Sequence, residues 1–152
     1  MNILAIDLGT RTGWCSGDHE AGTEDFSIRR GESSGMRFVR FRSWLMAILS
    51  TTIDHERFIN LVAYEEINFF RGIDASLVYG GMLGILQEVC TQINMDYKGV
   101  MPSELKKWAT GKGNANKDLM MATAAMRWPS FSGDDNEADA RLLWAFARES
   151  WG

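Results

Sequence analysis

The chain has 152 residues, 45% hydrophobic and 24% charged, with two prolines and a formal net charge of −4. This is enough for one domain, residues 1–152, with a proper core, and it excludes a low-complexity or disordered chain. No apolar run is long enough to cross a bilayer, and the N-terminus lacks both the basic stretch and the small-residue cleavage site of a secretory signal, so a cytoplasmic protein is expected.

In chain order, residues 1–7 read as a buried strand, and Gly9-Thr10-Arg11-Thr12-Gly13 as a turn. Thr12 to Ser16 and Glu24 to Ile28 are short alternating runs that suit antiparallel strands. Ser33-Ser34-Gly35 starts a helix in which Phe38, Phe41, Leu45, Ile48 and Leu49 recur at helical spacing, and the pattern fades near Thr51-Thr52. Phe58 to Ile67 is a second buried strand. Asp74 is placed to cap the next helix, which runs to about Gln92. That helix contains Gly80, Gly81 and Gly84, each costing about 1 kcal/mol relative to alanine, so close approach by a core neighbour or a second subunit is expected. Met95 to Val100 is the last strand. Pro102-Ser103 opens a short helix that stops at Gly111, residues 111–116 form a turn, Lys117 to Arg127 are helical, and Trp128-Pro129 ends that helix. Residues 136–150 form the final helix, with Ala138, Leu142, Ala145 and Phe146 on one face. The order predicts an α/β fold: a mixed five-stranded sheet, three antiparallel N-terminal strands followed by two parallel ones, flanked by helices.

Charge is unevenly spread. Residues 29–42 carry Arg29, Arg30, Arg37, Arg40 and Arg42 against Glu32, a net of +4. Residues 98–127 carry Lys98, Lys106, Lys107, Lys112, Lys117 and Arg127 against Glu104 and Asp118, again +4. The remainder therefore holds −12, the difference between −4 and the +8 of the two stretches. Basic stretches beside a separate acidic pocket suit a phosphate backbone with cations placed at one point on it, although two solvated faces would look the same. Cys15 and Cys90 fit no metal or redox spacing and read as reduced thiols; His19 and His55 have no partner at ligand spacing and read as surface residues.

The acids carry the chemistry. Asp7 ends the first apolar strand, Glu65 and Glu66 end the second, and Asp134, Asp135, Glu137 and Asp139 open the last helix. Two strand ends and a helix start can converge in an α/β fold, and carboxylates gathered there repel one another unless a cation intervenes. Hard oxygen ligands suit Mg²⁺ or Mn²⁺ and so point to metal-dependent phosphodiester chemistry.

Four segments in order resemble the RuvC family of Holliday-junction resolvases, including the small versions carried by bacteriophages: IDLGTRTGW, AYEEINFFRGIDASLVYGGMLGIL, MPSELKKWATGKGNANK and DDNEADARLLWA. The opening AIDLGT turn alone is shared with actin-like ATPases and sugar kinases, but those need two such domains and a second phosphate loop. The resemblance implies an RNase H-like fold with Asp7, Glu65 and Asp139 as metal ligands and Lys117 near the scissile phosphate. Glu65 and Glu66 are strand neighbours and face opposite ways, so only one reaches the metals, and the match selects Glu65. Lys106, Lys107 and Lys112 are expected to hold backbone phosphates away from the chemistry.

Two positions depart from the family pattern. Where it places an acid or histidine three residues before the last Asp, this chain has Asn136, with Asp135 one residue earlier; both lie one helical turn from Asp139. Either is a candidate fourth ligand, and Asp135 is preferred because two divalent ions bring more charge than three carboxylates balance. Where bacterial relatives present an aromatic wedge, this chain has Asn68, followed by Phe69 and Phe70, each of which is either a wedge or a core residue. The six tryptophans read as core or helix-end residues.

The expected activity is a structure-selective endodeoxyribonuclease acting on four-way junctions, with Y-junctions, flaps and forks as further candidate substrates, with two Mg²⁺ or Mn²⁺ ions bridged by Asp7 and leaving 5′-phosphate and 3′-hydroxyl ends. A four-way junction has two strands to cut, which suits a homodimer, and the resemblance places its interface on the helix with Gly80, Gly81 and Gly84. The alternatives are a non-catalytic branched-DNA module, favoured by Asn136, and a nuclease for structured RNA.

Overall fold

A computed structural model describes residues 1–50 and 58–152. Its elements are β1 (Ile3–Asp7), β2 (Arg11–Gly17), β3 (Glu20–Asp25), α1 (Met36–Ser50), β4 (Leu61–Glu65), α2 (Ile73–Gln92), β5 (Asp96–Val100), α3 (Pro102–Thr110), α4 (Lys117–Arg127) and α5 (Asp135–Trp151). The sheet order is β3-β2-β1-β4-β5, with β1–β2 and β2–β3 antiparallel and β1–β4 and β4–β5 parallel. This is the mixed sheet expected from the order of elements.

The two central strands are apolar on both faces because helices cover both. Ile3, Ala5, Leu61 and Ala63 point into a core shared with α3, α4 and α5. Leu4, Ile6, Val62 and Tyr64 point into the other core, against α1 and α2. Side chains alternate along a strand, so Asp7 continues the row of Ile3 and Ala5, and Glu65 continues that of Leu61 and Ala63. Both acids therefore emerge on the α5 side. Residues Leu142 to Ala147 of α5 are all buried, since that helix lies between the sheet, α3 and α4.

Several boundaries differ from the sequence reading. β3 runs over Glu20–Asp25 rather than Glu24 to Ile28, because β2 returns through a two-residue turn at Asp18-His19. Phe26 then leaves the sheet to pack edge-on against Phe41, at 5.5 Å between ring centres. The second buried strand is shorter than expected, and Phe58 is exposed. Gly72, not Asp74, occupies the cap position of α2; Asp74 lies inside the first turn. The expected fading of the first helix at Thr51-Thr52 and the surface position expected of His55 lie outside the described residues. His19 is exposed, and Cys15 and Cys90 are buried free thiols. Among the described residues, no helix is long and apolar enough to cross a membrane.

Candidate active site

The site forms where the C-terminal ends of β1 and β4 meet the first turns of α4 and α5. Each helix starts at a side-chain cap. Asn116 accepts a hydrogen bond from the Leu119 amide at 2.9 Å, which makes Lys117 the first residue of α4. Asp134 accepts from the Glu137 amide at 2.9 Å, which makes Asp135 the first residue of α5. The two helix starts are joined: Lys117 Nζ lies 2.7 Å from Asp135 Oδ2. Asp139 follows Asp135 by one turn on the same helix face.

The electrostatics show which acids sense one another. Burial, and then the charges of Glu65, Asp139 and Asp135, push the Asp7 carboxyl well above the usual carboxylate range, with Lys117 opposing. Glu65 is pushed up to about 7 by burial and by Asp139, with Lys106 opposing. Asp139 is pushed up to about 6 by burial and by Asp135, with Lys117 and Lys106 opposing. Lys117 is itself raised by its hydrogen bond to Asp135 and by the charge of that carboxylate. The arrangement thus brings together Asp7, Glu65, Asp135, Asp139, Lys117 and Lys106.

These carboxylates are hard oxygen donors short of positive charge, which is the environment a divalent cation relieves. Among the described residues, no three acidic, histidine or cysteine side chains already close on one point tightly enough to cage an ion. The fit therefore rests on the donor chemistry and the mutual repulsion.

The neighbours of the four acids have other partners. Glu66 points to the opposite face, where its side chain crowds Gly99 of β5: a Cβ there would lie 2.9 Å from Glu66 Oε2. The Asn136 side chain lies beside Asp134 and, with Thr23 and the Glu137 amide, helps hold that carboxyl below its usual range. Glu137 pairs with Arg141 at 2.8 Å.

Lys107 and Lys112 are exposed on α3 and the following turn. Lys106, expected away from the chemistry, stands close enough for its charge to act on Glu65 and Asp139. Its sequence position gave no sign of this, because the approach depends on how α3 packs against α4 and α5. Phe69 is 81% exposed, whereas Phe70 packs on Tyr79 with ring centres 5.1 Å apart. Tyr79 also ties down the loop after β4, donating to the Glu65 carbonyl and accepting from the Ile67 amide.

The three glycines of α2 divide. A Cβ at Gly81 would lie 2.5 Å from the Phe38 ring of α1, so that glycine admits a core neighbour. Gly80 and Gly84 face open space. Ile73 and Leu77 continue their stripe at 77% and 64% exposure.

Three of the five arginines of residues 29–42 have partners within the fold. Arg37 donates to the Phe26 carbonyl at 3.1 Å. Arg40 donates to the Ser27 carbonyl at 2.6 Å and pairs with Glu32 at 3.0 Å. Arg42 pairs with Glu88 and also reaches Gln92 of α2. Arg29 and Arg30 are left exposed.

No family model matches the chain. It is 32% identical over 81 residues to the crossover junction endodeoxyribonuclease RuvC of Brachyspira hyodysenteriae, covering 53% of this chain and 51% of that protein. It is 31% identical over 83 residues to the same enzyme of Rickettsia akari, covering 53% of each. The chain thus spans about half the length of the curated relatives it matches. In structure it is similar to Thermus thermophilus RuvC, with a TM-score of 0.73 and 20% identity over 98% of this chain and 96% of that one. Thermus thermophilus RuvC in complex with Holliday junction substrate gives a TM-score of 0.74 over the same shares, again at 20% identity. The yeast mitochondrial Holliday junction resolvase Ydc2 gives 0.60 at 16% identity, over 95% of this chain and 76% of that one. The chain therefore resembles RuvC resolvases in sequence over half its length and shares their RNase H-like fold over nearly all of it.

Proposed function

We propose that this protein is a structure-selective endodeoxyribonuclease that cuts branched DNA, four-way junctions foremost. One observation carries the reading: burial, and then the charges of the acids on one another, hold the Glu65 and Asp139 carboxyls near neutral and push Asp7 up, in a group drawn with Asp135 from three separate elements. A solvated acidic surface would not do this. The similarity to proteins named as crossover junction endodeoxyribonucleases supports the substrate class.

The four carboxylates would hold Mg²⁺ or Mn²⁺, two ions in our reading, with Asp135 rather than Asn136 as the fourth ligand. The pairing of Asp135 with Lys117, and of Asn136 with Asp134, supports that choice. Bound there, the cations supply Lewis acidity for in-line hydrolysis at phosphorus, leaving 5′-phosphate and 3′-hydroxyl ends. Lys117, paired with Asp135, would release that carboxylate and stabilise negative charge on the scissile phosphate. Lys106 partly neutralises the site from the α3 side, and exposed Lys107 and Lys112 bind flanking phosphates. Phe69 is the candidate wedge at the branch point, and Phe70 belongs to the core. The stripe of Ile73, Leu77, Gly80 and Gly84 is the candidate face of a twofold dimer that would present two sites to two strands.

The test is incubation of an end-labelled four-way junction with the protein in Mg²⁺, Mn²⁺ or EDTA, with the nicks mapped and re-sealed by ligase. Paired, ligatable nicks in either metal and none in EDTA are expected. Binding without cutting in all three conditions would return the reading to a non-catalytic module, and preferential cutting of structured RNA would return it to an RNA nuclease.

A further inference from the structure

Three residues lie in lateral register across the N-terminal strands. Asp7 of β1 pairs with Gly13 of β2, and Gly13 pairs with Thr23 of β3. In-register partners face the same side of a sheet, with strands about 4.8 Å apart, so Thr23 and Asp7 mark a span of roughly 10 Å on the α5 face. The start of α5 lies along that row. At one end, Thr23 Oγ1 donates to Asp134 Oδ1 at 2.6 Å, and Arg11 Nη2 stands 3.6 Å from the other oxygen of that carboxylate. In the middle, the helix backbone rests on Gly13: a Cβ there would lie 1.9 Å from the Asn136 carbonyl oxygen and 2.4 Å from its carbon. At the other end, the charges of Asp135 and Asp139 act on Asp7.

We infer that the β2–β3 hairpin is the positioning element of the metal site. Gly13 sets the height of α5 above the sheet, and the Thr23–Asp134 bond sets its rotation, so that Asp135 and Asp139 face Asp7. The inference rests on the proposed cation site and adds residues that touch neither ion nor DNA. Both atoms crowding Gly13 are backbone, so no rotamer change relieves a methyl group there. The first turn of α5 would have to lift by on the order of 1 Å to restore contact distance, and a displacement of that size in a reacting geometry costs about a hundredfold in rate. Thr23 acts more weakly, since Asp134 keeps its bond to the Glu137 amide when the hydroxyl is lost.

The experiment compares Gly13→Ala, Thr23→Val and Thr23→Ser with Gly17→Ala, a glycine of the same hairpin whose added Cβ would meet nothing within 4 Å. Each folded variant is titrated with Mn²⁺ without DNA, following the thermal midpoint. Four-way junction binding is measured in EDTA, and single-turnover cleavage at saturating Mn²⁺. Gly13→Ala should raise the Mn²⁺ concentration for half-maximal stabilisation at least about tenfold and slow cleavage at least about thirtyfold, with junction affinity in EDTA within about twofold of wild type. Thr23→Val should shift the metal midpoint by about threefold, Thr23→Ser should restore it, and Gly17→Ala should match wild type. A residue that only stabilises the fold would lower the melting temperature and leave the Mn²⁺ midpoint unmoved. That outcome for Gly13→Ala overturns the inference, as it does for Thr23→Val if Gly13→Ala does not fold. Failure of the wild-type protein to cut DNA would overturn the proposed function instead, and the Mn²⁺ midpoints would still decide the positioning role.

Discussion

Residues 29–42 and residues 98–127 carry the same net charge, +4, and the fold uses them in opposite ways. In the first stretch, Arg37 and Arg40 bind the backbone carbonyls left open where the chain leaves β3, and Arg42 ties α1 to α2. In the second, Lys98 and Arg127 lie over Trp151 and Trp108, but Lys117 pairs with Asp135, the charge of Lys106 acts on Glu65 and Asp139, and Lys107 and Lys112 stay exposed. The difference follows from side-chain chemistry. A guanidinium presents several donors in a fixed plane and suits fixed carbonyl and carboxylate acceptors, whereas an ammonium on a flexible stem is a mobile point charge. Net charge over a window of sequence therefore does not identify a phosphate-binding surface. The residue type and the number of open backbone acceptors nearby are better guides.

This contrast can be broken at several points. The largest effect should come from Lys117→Met, which removes the ammonium held between Asp135 and the other acids. Single-turnover cleavage should fall about a hundredfold, or ~2.7 kcal/mol, with little change in melting temperature, because that side chain is largely exposed. A drop of less than threefold would remove Lys117 from the chemistry. Arg40→Met should do the reverse, lowering the melting temperature by roughly 5 °C while the cleavage rate of the folded protein stays within about twofold of wild type. An unchanged melting temperature would mean that its carbonyl contacts do not hold the loop after β3.

Salt dependence separates the stretches again. Lys107→Ala combined with Lys112→Ala should make log Kd for junction DNA less steep in log salt by about 1–2, since each lost phosphate contact removes one released counterion. Arg40→Met should leave the slope alone. Equal flattening by both variants would show that the first stretch also reaches DNA.

The smallest effect is on stability against pH in the metal-free protein. The carboxyls of Glu65 and Asp139 rise from 4.5 and 3.8 to about 7 and about 6 on folding. Their protonated forms are thus favoured in the fold. That contribution is complete below about pH 4 and is lost as pH rises through 6 and 7. Melting in EDTA should therefore weaken between pH 5 and 8, and Mg²⁺ should cancel much of the loss. A flat profile in EDTA would contradict the crowding of these acids.

What was legible in the sequence was local. Strand alternation places Glu65 and Glu66 on opposite faces, and β4 does so, with Glu66 against Gly99. Helical spacing puts Asp135 and Asp139 on one face, and both sense the charge of Lys117 or share it with Asp7. The end of α3 at Gly111, in the left-handed conformation at φ 80°, was equally readable. What was not legible depends on contacts between distant segments. The charge of Lys106 acts on the acids only once α3 has packed against α4 and α5. Asp134 reads as a simple helix cap, yet its bond to Thr23 spans 111 positions. Gly13 reads as a turn residue, and its close approach to Asn136 exists only when α5 is in place.

The central claim, a cation site built on Asp7 at the end of β1, is tested most directly by Asp7→Asn in the junction-cleavage assay with Mg²⁺ and Mn²⁺. The substitution keeps the shape of the side chain and removes the charge that Glu65, Asp135 and Asp139 crowd. Cleavage should disappear in both metals, while junction binding is retained or tightened because the DNA-facing lysines are untouched and one repelling charge is gone. Cutting at more than about a tenth of the wild-type rate, a loss of under ~1.4 kcal/mol, would contradict a cation site that depends on Asp7.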